Sequence, residues 1–217
     1  SNCTVNFLSK ETIISLTTGA GGNDGGPSGL MKKKNPAHMV TKSKQQMLFP
    51  LNWFNCSGNL TQWVFAAKFN RADKPFHPAL QIWRPQASPA GSFSKVFETI
   101  VQVASAQTSG VYTYNLGTPF HVMTGDRLGL HHPDKRKSSI EIYIYDDVSD
   151  EYQYWTLEKT DNPMNYIETT NNNDVKTKHG VPVVAAVVVP FPLSSSVTLL
   201  STATSSTRVL PSSSSLA

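Results

Sequence analysis

Between Thr61 and Phe69 the residues Trp63, Phe65, Ala67 and Phe69 alternate with Gln62, Val64, Ala66 and Lys68. A period of two sends the first set to one face of a strand and the second to the other. Three aromatic rings on one face need an apolar layer to cover them, so a chain built on this run folds as packed sheets. Ala79 to Arg84 repeats the pattern, with Leu80 and Ile82 opposed to Gln81 and Trp83. It is expected to lie beside the first strand, across the turn Asn70 to Pro78. Ile140, Ile142 and Ile144 alternate with Glu141, Tyr143 and Tyr145, and the turn Asp146 to Asp150 leads into Tyr152 to Leu157. These two runs read as a hairpin.

The remaining chain supplies more short extended segments. Thr12 to Leu16 is β-branched and reads as a first strand, and Phe93 to Ala106 fits an extended segment better than a helix because of Thr99, Ile100 and Val101. Val111 to Leu116, Phe120 to Val122 and Arg127 to Leu130 read as strands, and Val181 to Val189 is apolar enough for burial on both faces. Gly19 to Gln46 lacks aromatics to pack it and reads as a mobile loop, Cys56 to Asn59 as an exposed turn, and Thr169 to His179 as irregular. Only 16% of residues are charged, while Gly, Pro, Ser, Thr and Asn together are plentiful, as in turn-rich β proteins. The expected fold is all-β, an antiparallel sandwich of jelly-roll character, with Trp63, Phe65, Leu80, Ile82 and the three isoleucines in its core. It spans residues 1–192, and the Ser/Thr-rich stretch 193–217 reads as a disordered tail or an O-glycosylated stalk.

Asn2, Asn55 and Asn59 each begin an Asn-X-Ser/Thr sequon. Cys3 and Cys56 are the only cysteines. Sequons and a cysteine pair together point to an oxidising, extracellular compartment. A Cys3–Cys56 disulfide there closes a loop of about 53 residues, on the order of 4 kcal/mol in chain entropy. The chain shows no signal peptide and does not begin with methionine, so a mature or excised fragment is expected. Val181 to Val189 is far shorter than the roughly 20 residues a spanning helix needs, so any anchor is expected beyond Ala217. The net charge of +4 is concentrated in Lys32 to Lys34 and in Lys135, Arg136 and Lys137, away from aromatics in the sequence. That pattern suits solvated loops better than a nucleic-acid surface.

Candidate chemistry is sparse. His121 and the pair His131-His132 approach a metal cluster, but neighbouring strand residues point to opposite faces, so at most one of the pair joins His121, and no metal site is assigned. Asp146, Asp147, Asp150 and Glu151 crowd a turn without the ligand spacing of a calcium loop. No nucleophile elbow, zinc-protease motif or phosphate loop occurs, so no catalytic residue and no cofactor is assigned, and a secreted hydrolase is the least supported reading. Tyr143 and Tyr145 stand opposite the isoleucine face, where cross-strand pairing would bring one or both of Tyr152 and Tyr154 beside them, and the four read either as a contact surface for a ligand or as a face covered by a second sheet.

Phe49-Pro50, Cys56-Ser57-Gly58 with Trp63, Ile82-Trp83-Arg84-Pro85, and Val122 with Gly125-Asp126 and Gly129 form a recognisable set. Over roughly Cys3 to Val189 the chain resembles a poorly characterised extracellular module of receptor-like and adhesion-like proteins of sponges. The resemblance implies surface display and carries no catalytic residue. The expected function is non-enzymatic recognition or adhesion at the cell surface, with a protein or glycan ligand. A secreted lectin-like domain using the tyrosines is the alternative.

Overall fold

The computed structural model describes residue 13 and residues 38–39, 44–71, 73–102, 109–133, 138–145, 153–157, 164–168 and 175–191. Apart from Ile13, the expected strand at 12–16 lies outside the described residues. So do Asn2, Cys3, both basic clusters, Asp134, the acidic turn, Tyr152 and the Ser/Thr-rich segment.

The described strands are β1 (His38–Met39), β2 (Gln45–Trp53), β3 (Gly58–Phe69), β4 (Ala79–Pro85), β5 (Ser92–Ile100), β6 (Gly110–Val122) and β7 (Arg127–His132). They continue with β8 (Ile140–Tyr145), β9 (Gln153–Leu157), β10 (Tyr166–Glu168), β11 (Val175–His179), β12 (Val181–Pro182) and β13 (Val184–Pro190). Seven form one sheet in the order β10-β5-β4-β7-β2-β9-β11. The other six are organised around β3, and every pairing between named strands is antiparallel. β6 runs along one edge of β3 from Gly58 to Ala67. The other edge is shared end to end, by β13 from Gly58 to Phe65 and by β8 from Ala67 to Phe69.

The two sheets face one another across a single core. Trp63 and Phe65 of β3 and Ile140, Ile142 and Ile144 of β8 meet Met47 and Phe49 of β2, Leu80 and Ile82 of β4, and Leu128 and Leu130 of β7. None of these is more than 1% exposed. Each such side chain contributes about 1.5–3 kcal/mol by burial. Phe97 of β5 stacks on Phe120 of β6 with ring centroids 4.3 Å apart, so aromatic contact also bridges the sheets. The alternation in β3, β4 and β8 thus assigns the core faces as the sequence predicts.

Several pairings differ from expectation. β3 and β4 are not neighbours, because both edges of β3 are already taken, and the segment between them carries the chain into the opposite sheet. β8 and β9 form no hairpin, since β9 pairs with β2 and β11 in the other sheet. The expected loop up to Gln46 contains β1, paired with β8, and β2 already begins at Gln45. The expected irregular stretch contains β11, a lysine-bearing edge strand whose polarity suits a sheet margin. Val181 to Val189 is divided at Val183, whose N–H donates to Tyr143 O while its carbonyl accepts from Ala66 N–H. That step hands the chain from the line of β8 to the line of β13. Among the described residues no helix is long and apolar enough to cross a membrane.

Candidate functional site: the outer face of the seven-stranded sheet

With Leu80 and Ile82 in the core, β4 sends Gln81 and Trp83 outward. Trp83 stands opposite Lys95 of β5 on one side and Arg127 of β7 on the other, and Arg127 stands opposite Trp53 of β2. Four adjacent strands therefore present a row of cation, indole, cation, indole. The Arg127 Cζ lies 5.2 Å from the Trp53 ring centroid, within cation–π range. Burial lowers the Arg127 pKa, and the charge of Asp126 opposes that shift.

Trp83 is fully buried, with its indole lying on Gly129 and packed with Leu48, Phe93 and Ile167, against which the half-buried Trp155 also rests. A Cβ at position 129 would fall 2.3 Å from the Trp83 Nε1 and 2.5 Å from its Cδ1, so no larger residue fits beneath the ring. The indole N–H donates to Gln81 Oε1 at 3.0 Å, and Gln46 Nε2 donates to the same oxygen at 3.2 Å. Gln81 Nε2 in turn donates to Glu98 Oε2 at 2.6 Å, and Lys95 Nζ donates to that oxygen at 2.8 Å. Gln46 is held again by the main chain of Met164, whose N–H donates to Oε1 at 2.8 Å and whose carbonyl accepts from Nε2 at 2.9 Å. Both glutamine amides are thereby fixed in one orientation.

Glu98 closes this chain. Burial pushes its carboxyl up, but the hydrogen bonds from Lys95 and Gln81, with the charge of Lys95, outweigh burial and hold it below the usual carboxylate range. Gln46 and Gln81 are fully buried, whereas 29% of the Glu98 side chain reaches solvent. The arrangement presents an ionised acceptor on a rigid, polar base, with half-buried Trp53, Arg127 and His131 and exposed Ile100 on the same face. Carboxylate, guanidinium and indole groups are chemically able to hydrogen-bond to and stack on polar molecules.

The end of the sheet is locked separately. Asp126, 1% exposed, accepts from Arg84 Nε and Nη2, each at 2.8 Å, and from Met123 N–H at 2.9 Å. The bonds to Asp126 raise the Arg84 pKa above its ordinary value against some loss from burial. Phe54 N–H donates to Asp126 O, Gly125 N–H donates to Phe54 O, and Thr124 N–H donates to Ser57 Oγ. The Ile82-Trp83-Arg84-Pro85, Cys56-Ser57-Gly58 and Gly125-Asp126 stretches thus meet in space.

Of the four tyrosines expected at a contact surface, Tyr143 and Tyr154 are buried. Tyr143 is 3% exposed, packed with Ile13, Val64, Ala66, Val183 and Ala185 on the outer side of the six-stranded sheet. Tyr154 is 6% exposed and points into the core, its ring centroid 5.2 Å from that of Phe49. Neither reaches a ligand, because the face opposite the isoleucines is itself covered and β9 belongs to the other sheet. The Tyr145 side chain and Tyr152 lie outside the described residues. Asn55 is exposed, but Asn59 stands in β3 rather than in a turn and is half-buried. Cys56 is not a free thiol. His121 is exposed on β6, while His131 and His132 lie on β7 in the other sheet. Among the described residues no three His, Cys, Asp or Glu side chains gather as a metal site would require.

Gln46, Gln81, Lys95, Glu98, Trp53 and Arg127 were not singled out by the sequence. The one usable signal was the opposition of Gln81 and Trp83 to Leu80 and Ile82, a polar and an aromatic residue together on the non-core face. Compared with known proteins, the chain matches no family model and no curated protein.

Proposed function

We propose that the chain is a non-enzymatic recognition or adhesion domain of a secreted or cell-surface receptor-like protein, a jelly-roll-like sandwich that binds its ligand on the outer face of the seven-stranded sheet. The observation that carries this reading is the hydrogen-bonded chain from Trp83 and Gln46 through Gln81 to Glu98, buried at its base and open at its acidic end. Buried polar networks in which every member is bonded are stiff, and a stiff base sets a ligand group at low entropic cost. The extracellular assignment rests on the three sequons and on pairing Cys3 with Cys56.

A second reading, a glycan-binding domain, is favoured by Trp53 under Arg127 beside the Glu98 carboxylate, since an indole stacks on a sugar face while charged groups bind its hydroxyls. Screening the secreted chain against a glycan array and a library of cell-surface ectodomains separates the two. Glu98→Gln and Trp53→Ala are expected to lower binding at least tenfold while the protein stays folded. Binding that survives both substitutions in the folded variants would remove this face from consideration.

A further inference from the structure

We propose that Asn59 carries an N-glycan whose first sugar is seated on the protein's own surface, on a patch made by His121, Val189 and Phe191. This rests on the secretory reading above and adds a binding role for residues that the recognition face does not use.

The register places the patch. Leu60 of β3 is buried in the core, and its cross-strand partners Phe120 and Val188 pack against the same core. The next row, Asn59 with His121 of β6 and Val189 of β13, therefore points outward. Gly58 allows the close approach that builds this end, because a Cβ there would fall 2.5 Å from Val189 O and 2.7 Å from Val188 Cγ1. Phe191 follows Val189 by two residues, and its ring meets His121 edge-on, with centroids 4.8 Å apart and planes at 79°.

That contact crosses β3. The backbones of β6 and β13 flank β3 at this level, so they are roughly 9.5 Å apart. Rings separated by 4.8 Å meet only by leaning over β3, on the side from which the Asn59 side chain leaves. Val189 is 54% and Phe191 43% exposed, which is large for apolar side chains gathered around one asparagine. A sugar linked to Asn59 is tethered beside that surface and lays its C–H face on it without any further ordering of the chain.

The test uses the full chain, secreted from mammalian cells with Asn55→Gln so that Asn59 is the reporter. Glycopeptide mass mapping reads occupancy, and thermal unfolding compares the intact glycan, the glycan trimmed to one N-acetylglucosamine, and Asn59→Gln. Trimming is expected to leave Tm unchanged, and loss of the last sugar to lower it by about 3 °C. In a Phe191→Ala background, which changes an exposed residue, that glycan-dependent shift is expected to vanish. Nuclear Overhauser contacts between an isotope-labelled N-acetylglucosamine and the Phe191 ring give a second readout. An unoccupied Asn59 would overturn the seat, and the secretory reading itself falls only if Asn2 and, in the native chain, Asn55 are bare as well and Cys3 and Cys56 carry free thiols. An occupied Asn59 with no contact to Phe191 and an undiminished shift in Phe191→Ala would overturn the seat alone.

Discussion

Removing either partner of the Arg84–Asp126 pair is expected to destabilise the protein, and by unequal amounts. The Asp126 side chain is 1% exposed and that of Arg84 32%, with two bonds of 2.8 Å between them. Arg84→Ala leaves a carboxylate that cannot reach water, with the Met123 N–H as its remaining partner among the bonds described above. Stranding a buried charge in this way costs about 3–4 kcal/mol. Asp126→Ala instead releases a guanidinium already one-third in solvent. The loss is then that of the accepted hydrogen bonds less what water returns to Arg84, about 1.5–2 kcal/mol. For a chain of this length the two substitutions lower Tm by roughly 10 °C and roughly 5 °C. The double variant is expected to be no worse than Arg84→Ala, because with the carboxylate gone the stranded charge is gone too, giving a coupling energy of about 1.5 kcal/mol or more. Thermal and denaturant unfolding of the three variants decides it. Equal single losses, or a double loss equal to their sum, would refute the reasoning from unequal exposure.

Gly129→Ala is expected to cost about 2–3 kcal/mol in denaturant unfolding, since its methyl would strike the Trp83 indole, and the near-ultraviolet tryptophan signal should change with it. Tyr143→Ala is expected to lower stability by about 3 kcal/mol as a large-to-small core change, with ligand binding by the folded fraction unaffected. Glu98 has a folded pKa below its unfolded value, so its contribution to stability is present above the unfolded pKa and fades as the pH falls through the folded one. Its partial exposure keeps that contribution small. Stability curves of the native protein and Glu98→Gln, measured from pH 7 to pH 3, should therefore converge toward the acid end.

What the sequence made legible was the face of each residue, and what it concealed was the partner. Alternation in β3, β4 and β8 assigned Trp63, Phe65, Leu80, Ile82, Ile140, Ile142 and Ile144 to the core, and all are buried. The same periodicity is silent about which sheet a strand joins, because that depends on edges occupied by residues far along the chain. β3 pairs with β13, more than a hundred residues downstream, and this displaces β4 to the other sheet. Tyr143 was misplaced for a related reason. An outward face reads as exposed until something distant covers it, and Ile13 with Val183 and Ala185 covers Tyr143. The proposed recognition face was hidden because its parts are separated in sequence. Trp83 needs Gly129, Arg84 needs Asp126, and Gln46 needs Met164.

Under the two proposals, the two outer faces of the sandwich are accordingly put to different uses. On the six-stranded sheet, one region is closed by the apolar cluster around Tyr143, and the other end offers the exposed patch beside Asn59. A glycan seated there covers apolar surface and bars that end to a protein partner. The seven-stranded sheet carries its sequon, Asn55, in the turn after β2 rather than on the sheet itself, so a glycan at that position projects from the end of the sandwich. Its outer face carries the buried cluster of Leu48, Trp83, Phe93 and Ile167 beside a polar network whose acidic end is open to solvent, and that acidic end is the part the proposed recognition surface uses. Glycosylation at Asn59 and ligand binding near Glu98 should therefore be independent, since they lie on opposite sides of one core.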